Sequence, residues 1–303
     1  MRTNVLDNLS RYAGITDENT PRLLIHKNKL IKMKLADGII INTEELEDHT
    51  VIDILVEKSL ERPVHICFAI LNKTGKQSVN ARITVKDNSK VHFISHCVFP
   101  NAEKVVHKSN IQFQIGHGAL VKYEENHIHS QEGDIKIDSK VHVNTGIKSK
   151  FDLSFTVTHG RAGKLNSSTD IHVGTESSAN VIAKILGKKD DYIVLNEKIT
   201  LEGCESRGIV KTRNVLTERS KSVVNSEITG LGIESRGHID CTEILMDEAT
   251  AMAYPIVNVQ NPTAKLTHEA AIGRVDKKQI ITLLCRGLSE EEATDFIVQG
   301  LLR

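Results

Sequence analysis

Aromatic residues are scarce in this chain. It contains no tryptophan, four tyrosines and seven phenylalanines, which together make up 4% of its 303 residues. Proteins that hold single-stranded nucleic acids stack the bases on aromatic side chains, and sugar-binding grooves use aromatic platforms in the same way. The composition therefore disfavours both kinds of ligand.

Neither sign of charge is in excess. The chain has 39 Lys and Arg against 39 Asp and Glu, a formal net charge of zero, which argues against a dedicated nucleic-acid surface. No apolar run reaches the roughly 18 residues that cross a bilayer. Residues 1–14 are polar and mixed in charge, unlike a secretory signal. We therefore expect a soluble, cytoplasmic protein with no nucleic-acid or membrane partner.

Cysteine is also sparse, and its spacing is informative. The five cysteines are far apart, and none forms a Cys-x-x-Cys pair. This pattern disfavours a disulfide framework and a zinc site made of thiols close in sequence. A cysteine with a chemical role must therefore use ligands distant in sequence or a second copy of the chain. The five are Cys67, Cys97, Cys204, Cys241 and Cys285.

A Gly-x-Glu-Ser segment recurs three times at a spacing of 29 residues, beginning at Gly174, Gly203 and Gly232. Between these segments, and back to about residue 62, short runs alternate apolar and polar residues and are separated by turn residues. Such runs are typical of strands. No helix-length pattern separates them, which disfavours a doubly wound α/β fold. A period of this length indicates stacked units that share one core.

Superposing the repeats predicts which residues point inward. Apolar or small residues fill alternate columns, and mostly polar residues fill the columns between them. At roughly 3.3 Å per residue, one period holds two strands and two turns. The sequence therefore predicts a β-dominated fold, a flattened two-sheeted parallel β-helix over residues 62–272. The inward columns are Val181, Val210 and Ile239, and then Ala183, Thr212 and Cys241.

The two ends differ from the repeat. Residues 1–61 lack it, and we interpret them as a mixed N-terminal region with a short helix over 4–12. Residues 273–303 predict two short helices, the first capped by Asp276 and ended by Gly287, the second opened by a capping box of Ser289 and Glu292. These helices either shield the last coil or leave one face for a partner.

Cys241 is the first candidate for chemistry. In the 29-residue register, His268 lies over Ile239 and Ala270 over Cys241, so that Cys241 and the pair His268–Glu269 occupy adjacent rungs. A thiolate, an imidazole and a carboxylate together are a set of metal ligands. The alternatives are a cysteine that only packs in the core and a polar end to the last coil.

A second candidate set is Glu125, His127 and His129, which alternate along one predicted strand and so share a face. These three side chains could chelate a metal. The alternative is a solvated, histidine-rich strand end. The pair His96–Cys97 is a weaker candidate, because adjacent strand residues point to opposite faces.

Three segments of the last third resemble the SufB/SufD family of iron–sulfur cluster assembly proteins. They are Gly-His-Ile-Asp-Cys-Thr at 237–242, Ala-Lys-Leu-Thr-His-Glu-Ala-Ala-Ile-Gly-Arg at 264–274, and Cys-Arg-Gly-Leu-Ser-Glu-Glu-Glu-Ala at 285–293. The resemblance covers about residues 62–303 and is tightest from residue 230 onward.

The resemblance implies a right-handed parallel β-helix with terminal helices. It implies a scaffold, not an enzyme, on which an iron–sulfur cluster is held transiently, in complex with the ABC-type ATPase SufC that hydrolyses the ATP. In this family the C-terminal part of the β-helix forms a dimer, with the cysteine matching Cys241 at the interface. Residues matching His268 and Glu269 lie nearby, and the helices matching Asp276 to Leu302 dock the ATPase.

The chain also departs from the family pattern. It lacks the N-terminal cysteine cluster of the larger SufB members, and we match none of its cysteines to their earlier, sulfur-accepting solenoid cysteine. It resembles the compact archaeal members, for which we expect a homodimer: a cluster needs about four ligands, and two copies supply two Cys241 thiolates with Glu269 or His268. The alternatives are a SufD-like, non-ligating subunit and, from another class, a carbohydrate-active β-helix.

Overall fold

The computed structural model describes residues 12, 14, 15, 17 and 19–302. The chain in this range is built of short strands followed by two helices, α1 (Lys277–Leu284) and α2 (Glu290–Leu302). In chain order the strands are β1 (Arg22–His26), β2 (Lys29–Lys34), β3 (Ile39–Glu45), β4 (Thr50–Val56), β5 (Val64–Ala69), β6 (Thr74–Val85), β7 (Lys90–Phe99), β8 (Lys104–Ile115), β9 (Leu120–His129), β10 (Asp134–Thr145), β11 (Lys150–His159), β12 (Lys164–Val173), β13 (Ser178–Gly187), β14 (Tyr192–Leu201), β15 (Arg207–Leu216), β16 (Lys221–Gly230), β17 (Arg236–Leu245), β18 (Thr250–Val259) and β19 (Lys265–Gly273).

Successive strands alternate between two sheets. One sheet has the order β19-β17-β15-β13-β11-β9-β7-β5-β1-β2, and the other has the order β18-β16-β14-β12-β10-β8-β6-β4-β3. From β4 to β19, each strand pairs in parallel with the strand two places before or after it. The two-sheeted parallel β-helix predicted from the repeat is therefore confirmed.

The predicted inward columns are confirmed as well. Val210 pairs with Ile239 and Thr212 with Cys241 across β15 and β17, and all four side chains are buried between the sheets. The coil length varies along the molecule: it is 30 residues from Ser109 to Ser139 and 28 from Ser149 to Ser177. This variation explains why the repeat is clearest in the C-terminal half.

The repeated Gly-x-Glu-Ser segment forms the turn between coils. Its glutamates Glu176, Glu205 and Glu234 all have a positive φ of 55°. This left-handed conformation bends the chain sharply and is unfavourable for residues other than glycine, so the stacking of the coils must stabilise it. Its glycine is required by close backbone approach, because a Cβ at Gly232 would lie 1.8 Å from the carbonyl oxygen of Gly203. The geometry of the turn therefore explains why the motif recurs.

The sheets begin before residue 62. Strand β1 pairs in parallel with β5, and β4 pairs in parallel with β6. Strands β2 and β3 then turn back antiparallel and cover the N-terminal edges, a common way of protecting an open sheet edge. The helix predicted over 4–12 lies outside the described residues except for Tyr12, which is helical.

Both predicted helix caps are present. The Asp276 carboxylate accepts a hydrogen bond of 2.9 Å from the Lys278 backbone N–H. Ser289 and Glu292 form the reciprocal capping box: the Ser289 N–H donates to Glu292 Oε2 at 2.8 Å, and the Glu292 N–H donates to Ser289 Oγ at 3.2 Å. No helix in the described part of the chain combines the length and apolar character that crossing a membrane requires.

Candidate functional site

Cys241 lies on β17 with its side chain in the interior of the solenoid. It is 2% exposed, and its Sγ is 3.6 Å from Ser226 Oγ on the opposite sheet. Burial raises the pKa of the Cys241 thiol to about 11, and the carboxylates of Glu197 and Glu243 add to the effect. The thiol is therefore protonated at neutral pH, and a metal ion must displace this proton to bind the sulfur.

Glu197 is one of two buried carboxylates beside this cysteine. Its Oε2 accepts hydrogen bonds of 2.8 Å from both Thr212 Oγ1 and Ser226 Oγ. Its Oε1 is buried and has no hydrogen-bond partner among the described residues. Burial raises the pKa of Glu197.

Glu243 is the second buried carboxylate and lies two residues after Cys241 on the same face of β17. It is 1% exposed, and neither carboxylate oxygen forms a well-oriented hydrogen bond in the described chain, although the side chains of Ser222 and Asn214 lie close enough to lower its pKa. Burial raises its pKa to about 7. A buried, unpartnered acceptor is costly, and a cation bound beside Cys241 would relieve this cost for both Glu197 and Glu243. The donor chemistry around Cys241 therefore fits iron.

Sequence reasoning missed these two glutamates, although the signal was present. Glu197 follows Ile193 and Leu195 and precedes Ile199 at intervals of two, and all four side chains are buried. A carboxylate in the apolar phase of an alternating strand is an exception that can be recognised without a structure.

His268 and Glu269 lie on β19, the last strand of its sheet, and both are exposed. The predicted register is confirmed, with His268 beside Ile239 and Ala270 beside Cys241. Because strand residues alternate, His268 is on the same side as Cys241 and Glu269 is on the other. There the Oε1 of Glu269 is 3.7 Å from the Nε2 of His238.

One chain therefore does not gather Cys241, His268 and Glu269 into a single set of ligands. Within the described ranges, two groups bring three potential ligand atoms within 4.8 Å of one another, and neither includes Cys241. They are Cys97–Glu125–His127 and His142–Asp170–His172.

The first group contains most of the second predicted set. Glu125, His127 and His129 share a face of β9, as predicted, but they are buried in the core and not solvated at a strand end. Cys97 on β7 pairs with His127 and completes the group. The sequence signal was the spacing of 30 residues between them, about one coil. The neighbouring His96 points the other way, and its ring stacks on His65.

The second group was missed entirely. His142, Asp170 and His172 lie half-buried on β10 and β12, where the Asp170 Oδ2 is 3.6 Å from His142 Nδ1 and 3.7 Å from His172 Nε2. Histidine nitrogens and carboxylate oxygens in this arrangement can bind a divalent cation and leave some of its coordination positions open to solvent. In the register of β10 and β12, His142 lies opposite Asp170.

Apolar side chains are exposed at the C-terminal end. Met252, Tyr254 and Ile256 alternate along the outer face of β18, and each is about half exposed. On the helices, Ile281 is 57% exposed and Phe296 is 63% exposed. Exposed apolar residues grouped in this way mark surfaces that bind another molecule.

Comparison with known proteins gives a consistent result. Residues 69–301 match the family model described as the SufBD core domain of the SUF system for FeS cluster assembly. An iron–sulfur cluster assembly SufBD family protein of Methanocaldococcus jannaschii is 34% identical over 284 residues, covering 93% of this chain and 90% of that protein. One of Pyrococcus horikoshii is 32% identical over 282 residues, covering 92% and 86%.

A third relative, also from Pyrococcus horikoshii and of the same family, is 29% identical over 243 residues, covering 79% of this chain and 54% of that protein. The family model spans most of the solenoid and nearly all of both helices. The carbohydrate-active alternative finds no support in these matches. The chain belongs to the SufBD family of iron–sulfur cluster assembly proteins.

Proposed function

We propose that the chain is a scaffold on which an iron–sulfur cluster is assembled at the C-terminal end of the solenoid, with Cys241 as its thiolate ligand. The observation that carries this proposal is the position of Cys241, one strand from the open end of its sheet and beside two buried carboxylates with unpartnered oxygens. These oxygens are hard ligands for incoming iron, and they lie next to a soft ligand, the sulfur of Cys241.

The cluster is shared by a homodimer. One chain supplies one well-placed thiolate, that of Cys241, whereas a cluster needs about four ligands. Among the strands that the structure describes, β18 and β19 each have an unpaired edge, and β18 carries exposed Met252, Tyr254 and Ile256. A second copy seated on these edges about a two-fold axis would cover the apolar side chains and bring a second Cys241 close.

His268 is the favoured additional ligand, because it shares the side of the strand on which Cys241 lies. Glu269 faces His238 on the outer surface, so its coordination requires β19 to twist when the two copies meet. Ligation by one thiolate per chain with nitrogen or oxygen ligands suits a cluster that is held briefly and passed on.

Helices α1 and α2 dock an ABC-type ATPase of the SufC kind, and ATP is hydrolysed there and not by this chain. The exposed side chains of Ile281 and Phe296 support such a surface. A groove between the two helices and the solenoid is lined by Ile244, Leu283 and Leu301 among others. An apolar helix face laid against a partner is a common mode of recognition.

A SufD-like role, in which the chain is a structural subunit of the same complex, is the second candidate. The burial of Cys241 and the raised pKa of its thiol favour it, as does the separation of Glu269 from the sulfur side of the strand.

Anaerobic reconstitution with ferrous iron and sulfide separates the two roles. The wild-type chain should gain iron, sulfide and visible absorbance, and should elute as a dimer. Cys241→Ser should lose the absorbance, while the matched control Cys204→Ser, an exposed cysteine in a turn, should keep it. Equal absorbance in wild type and Cys241→Ser would contradict the ligand role and favour the structural one.

A further inference from the structure

A second group of metal-binding side chains lies inside the solenoid, far from Cys241. Cys97, His107, Glu125 and His127 come from β7, β8 and β9 and are each at most 1% exposed. Strand β9 is four strands from β17 in the same sheet, roughly 19 Å at the usual strand spacing. The group is therefore separate from the site proposed for the cluster.

Three donor atoms of this group lie close enough together to share one ion, and His107 Nε2, which is not part of that trio, lies next to the sulfur. Cys97 Sγ is 3.7 Å from His107 Nε2, and His127 Nε2 is 2.9 Å from Glu125 Oε1. The sulfur, a carboxylate oxygen of Glu125 and an imidazole nitrogen of His127 all lie within 4.8 Å of one another. In a tetrahedral zinc site, bond lengths of about 2.0–2.3 Å place neighbouring ligand atoms roughly 3.3–3.8 Å apart, so the hydrogen-bonded contact between His127 and Glu125 must widen by a few tenths of an ångström when an ion binds.

A chain of hydrogen bonds orients His127. The carbonyl oxygen of Arg161 can only accept, so His129 donates to it from Nδ1 at 2.7 Å. The Nε2 of His129 is then an acceptor and receives the Nδ1–H of His127 at 3.2 Å. This leaves the lone pair of His127 Nε2 directed at Glu125 Oε1, and the 2.9 Å contact between these two atoms requires a shared proton or a bound cation. His129 is thus a positioning residue, a common partner of metal-binding histidine.

His107 is oriented in the same way from the other sheet. Its Nδ1 donates to Gln77 Oε1 at 3.0 Å, and Gln77 is in turn held by a hydrogen bond from its Nε2 to the Lys27 carbonyl oxygen. The Nε2 of His107 therefore carries its lone pair toward Cys97 Sγ. Both histidines present the atom that binds metals, and both are held by a donor hydrogen bond from the other nitrogen.

Charge favours a divalent cation at this position. Glu125 Oε2 accepts a hydrogen bond of 3.1 Å from the Tyr123 hydroxyl, but no lysine or arginine pairs with Glu125 in the described chain. A thiolate and a carboxylate supply two negative charges, which a divalent ion neutralises in an interior where uncompensated charge is costly. Two neutral imidazoles complete four ligands.

We propose that Cys97, Glu125 and His127 form an enclosed site for a thiophilic divalent transition-metal ion, Zn²⁺ or Fe²⁺, and that His107, which lies beside the sulfur, joins as the fourth ligand when the ion binds. On binding, a metal–sulfur bond forms and the Cys97 S–H proton passes to solvent. Because the site is enclosed by both sheets, the ion enters as the solenoid folds, and it stabilises the folded chain. This inference is independent of the function proposed for Cys241.

Cobalt is a suitable probe, because Co²⁺ bound to a thiolate absorbs visibly in tetrahedral sites. The full chain carrying Cys241→Ser, which removes the thiolate at the other site, is unfolded with chelator and refolded anaerobically with Co²⁺. We expect one equivalent to survive a chelator wash and to show thiolate-to-cobalt charge transfer. The added change Cys97→Ser should abolish that band. Gln77→Leu should weaken cobalt binding by about 10- to 100-fold.

The control is Cys67→Ser, which removes another buried thiol on the same sheet; Cys67 packs in a separate apolar cluster. It should leave the band unchanged. X-ray absorption on the cobalt-loaded parent chain adds a test that does not depend on the folding of a variant: one sulfur among nitrogen and oxygen neighbours supports the site. A shell without sulfur, a band that survives Cys97→Ser, or a folded parent chain that retains no cobalt would overturn it.

Discussion

At the scale of single residues, the unusual feature is the carboxylates in the apolar phase of the strands. Glu125, Glu197 and Glu243 all point between the sheets. Each lies near a buried cysteine: Cys97 in the N-terminal half, Cys241 in the C-terminal half. Buried polar groups reduce stability unless they are satisfied, so we interpret these positions as functional.

Replacing Glu197 by Gln should change how stability depends on pH. Burial raises the pKa of Glu197 above its usual 4.5, so the folded state holds this proton more tightly than the unfolded state. The stability that the protonated Glu197 contributes is fully present below its usual pKa. This stability is lost as the pH rises through the raised pKa of the folded state. Denaturant unfolding from about pH 5 to about pH 8 should therefore show a smaller decline in Glu197→Gln than in wild type.

Some decline should remain in that variant, because Glu243 also has a raised pKa, of about 7. The matched control is Glu248→Gln, at an exposed turn position, which should follow wild type. An unchanged slope in Glu197→Gln would mean that the carboxyl group titrates normally.

At the scale of elements, the turn that carries Gly-x-Glu-Ser determines how one coil stacks on the next. Its glutamate N–H groups donate to the following coil, as Glu176 N does to the Cys204 carbonyl oxygen at 2.8 Å and Glu205 N to that of Ile233 at 2.8 Å. Backbones approach so closely here that no side chain fits at the glycine. The identity of these residues follows from stacking and not from chemistry.

Gly232→Ala should destabilise the fold by about 2 kcal/mol, because the added methyl group meets the Gly203 backbone and one turn must open. Thermal and urea unfolding measure this loss. The control Gly300→Ala adds a methyl group in α2 with no atom within 4 Å and should be neutral or slightly stabilising. Equal stability of Gly232→Ala and wild type would show that the turn is not tightly packed.

At the scale of the whole molecule, the two ends of the solenoid differ. The N-terminal end is covered by the antiparallel strands β2 and β3. Within the described residues all four terminal strands, β2, β3, β18 and β19, have one unpaired edge, but the C-terminal end lacks the antiparallel turn-back and its β18 carries Met252, Tyr254 and Ile256, each about half exposed. An uncovered edge with apolar side chains readily pairs with another chain, so the asymmetry supports a dimer formed through this end.

Ile256→Lys on β18 should therefore convert the dimer to a monomer, since it places a charge in the middle of the proposed interface. Analytical ultracentrifugation measures the change, and the same variant should lose most of the reconstituted cluster. Met33→Lys, at a similarly exposed position on the covered end, is the control and should remain dimeric. A dimeric Ile256→Lys would place the interface elsewhere.

Much of the fold could be predicted from the sequence because it depends on local order. Alternation gives the strands, and the 29-residue spacing stacks Thr212 on Cys241 and Cys241 on Ala270. The caps at Asp276 and Ser289 depend on residues within three positions of one another. Such features repeat in phase or depend on residues close in sequence, so the sequence pattern alone predicts them.

The contacts across the interior were decided only by the tertiary structure. Cys97 meets His107 from the facing sheet, and Ser226 meets Cys241 in the same way. Such pairs are 10 residues apart in one coil and 15 in another, because turn lengths and the offset between the sheets vary. The sequence by itself therefore determined the repeat, its inward faces and Cys241 near the end of the ladder; the three-dimensional packing of two sheets decided which polar groups meet and which edge stays open.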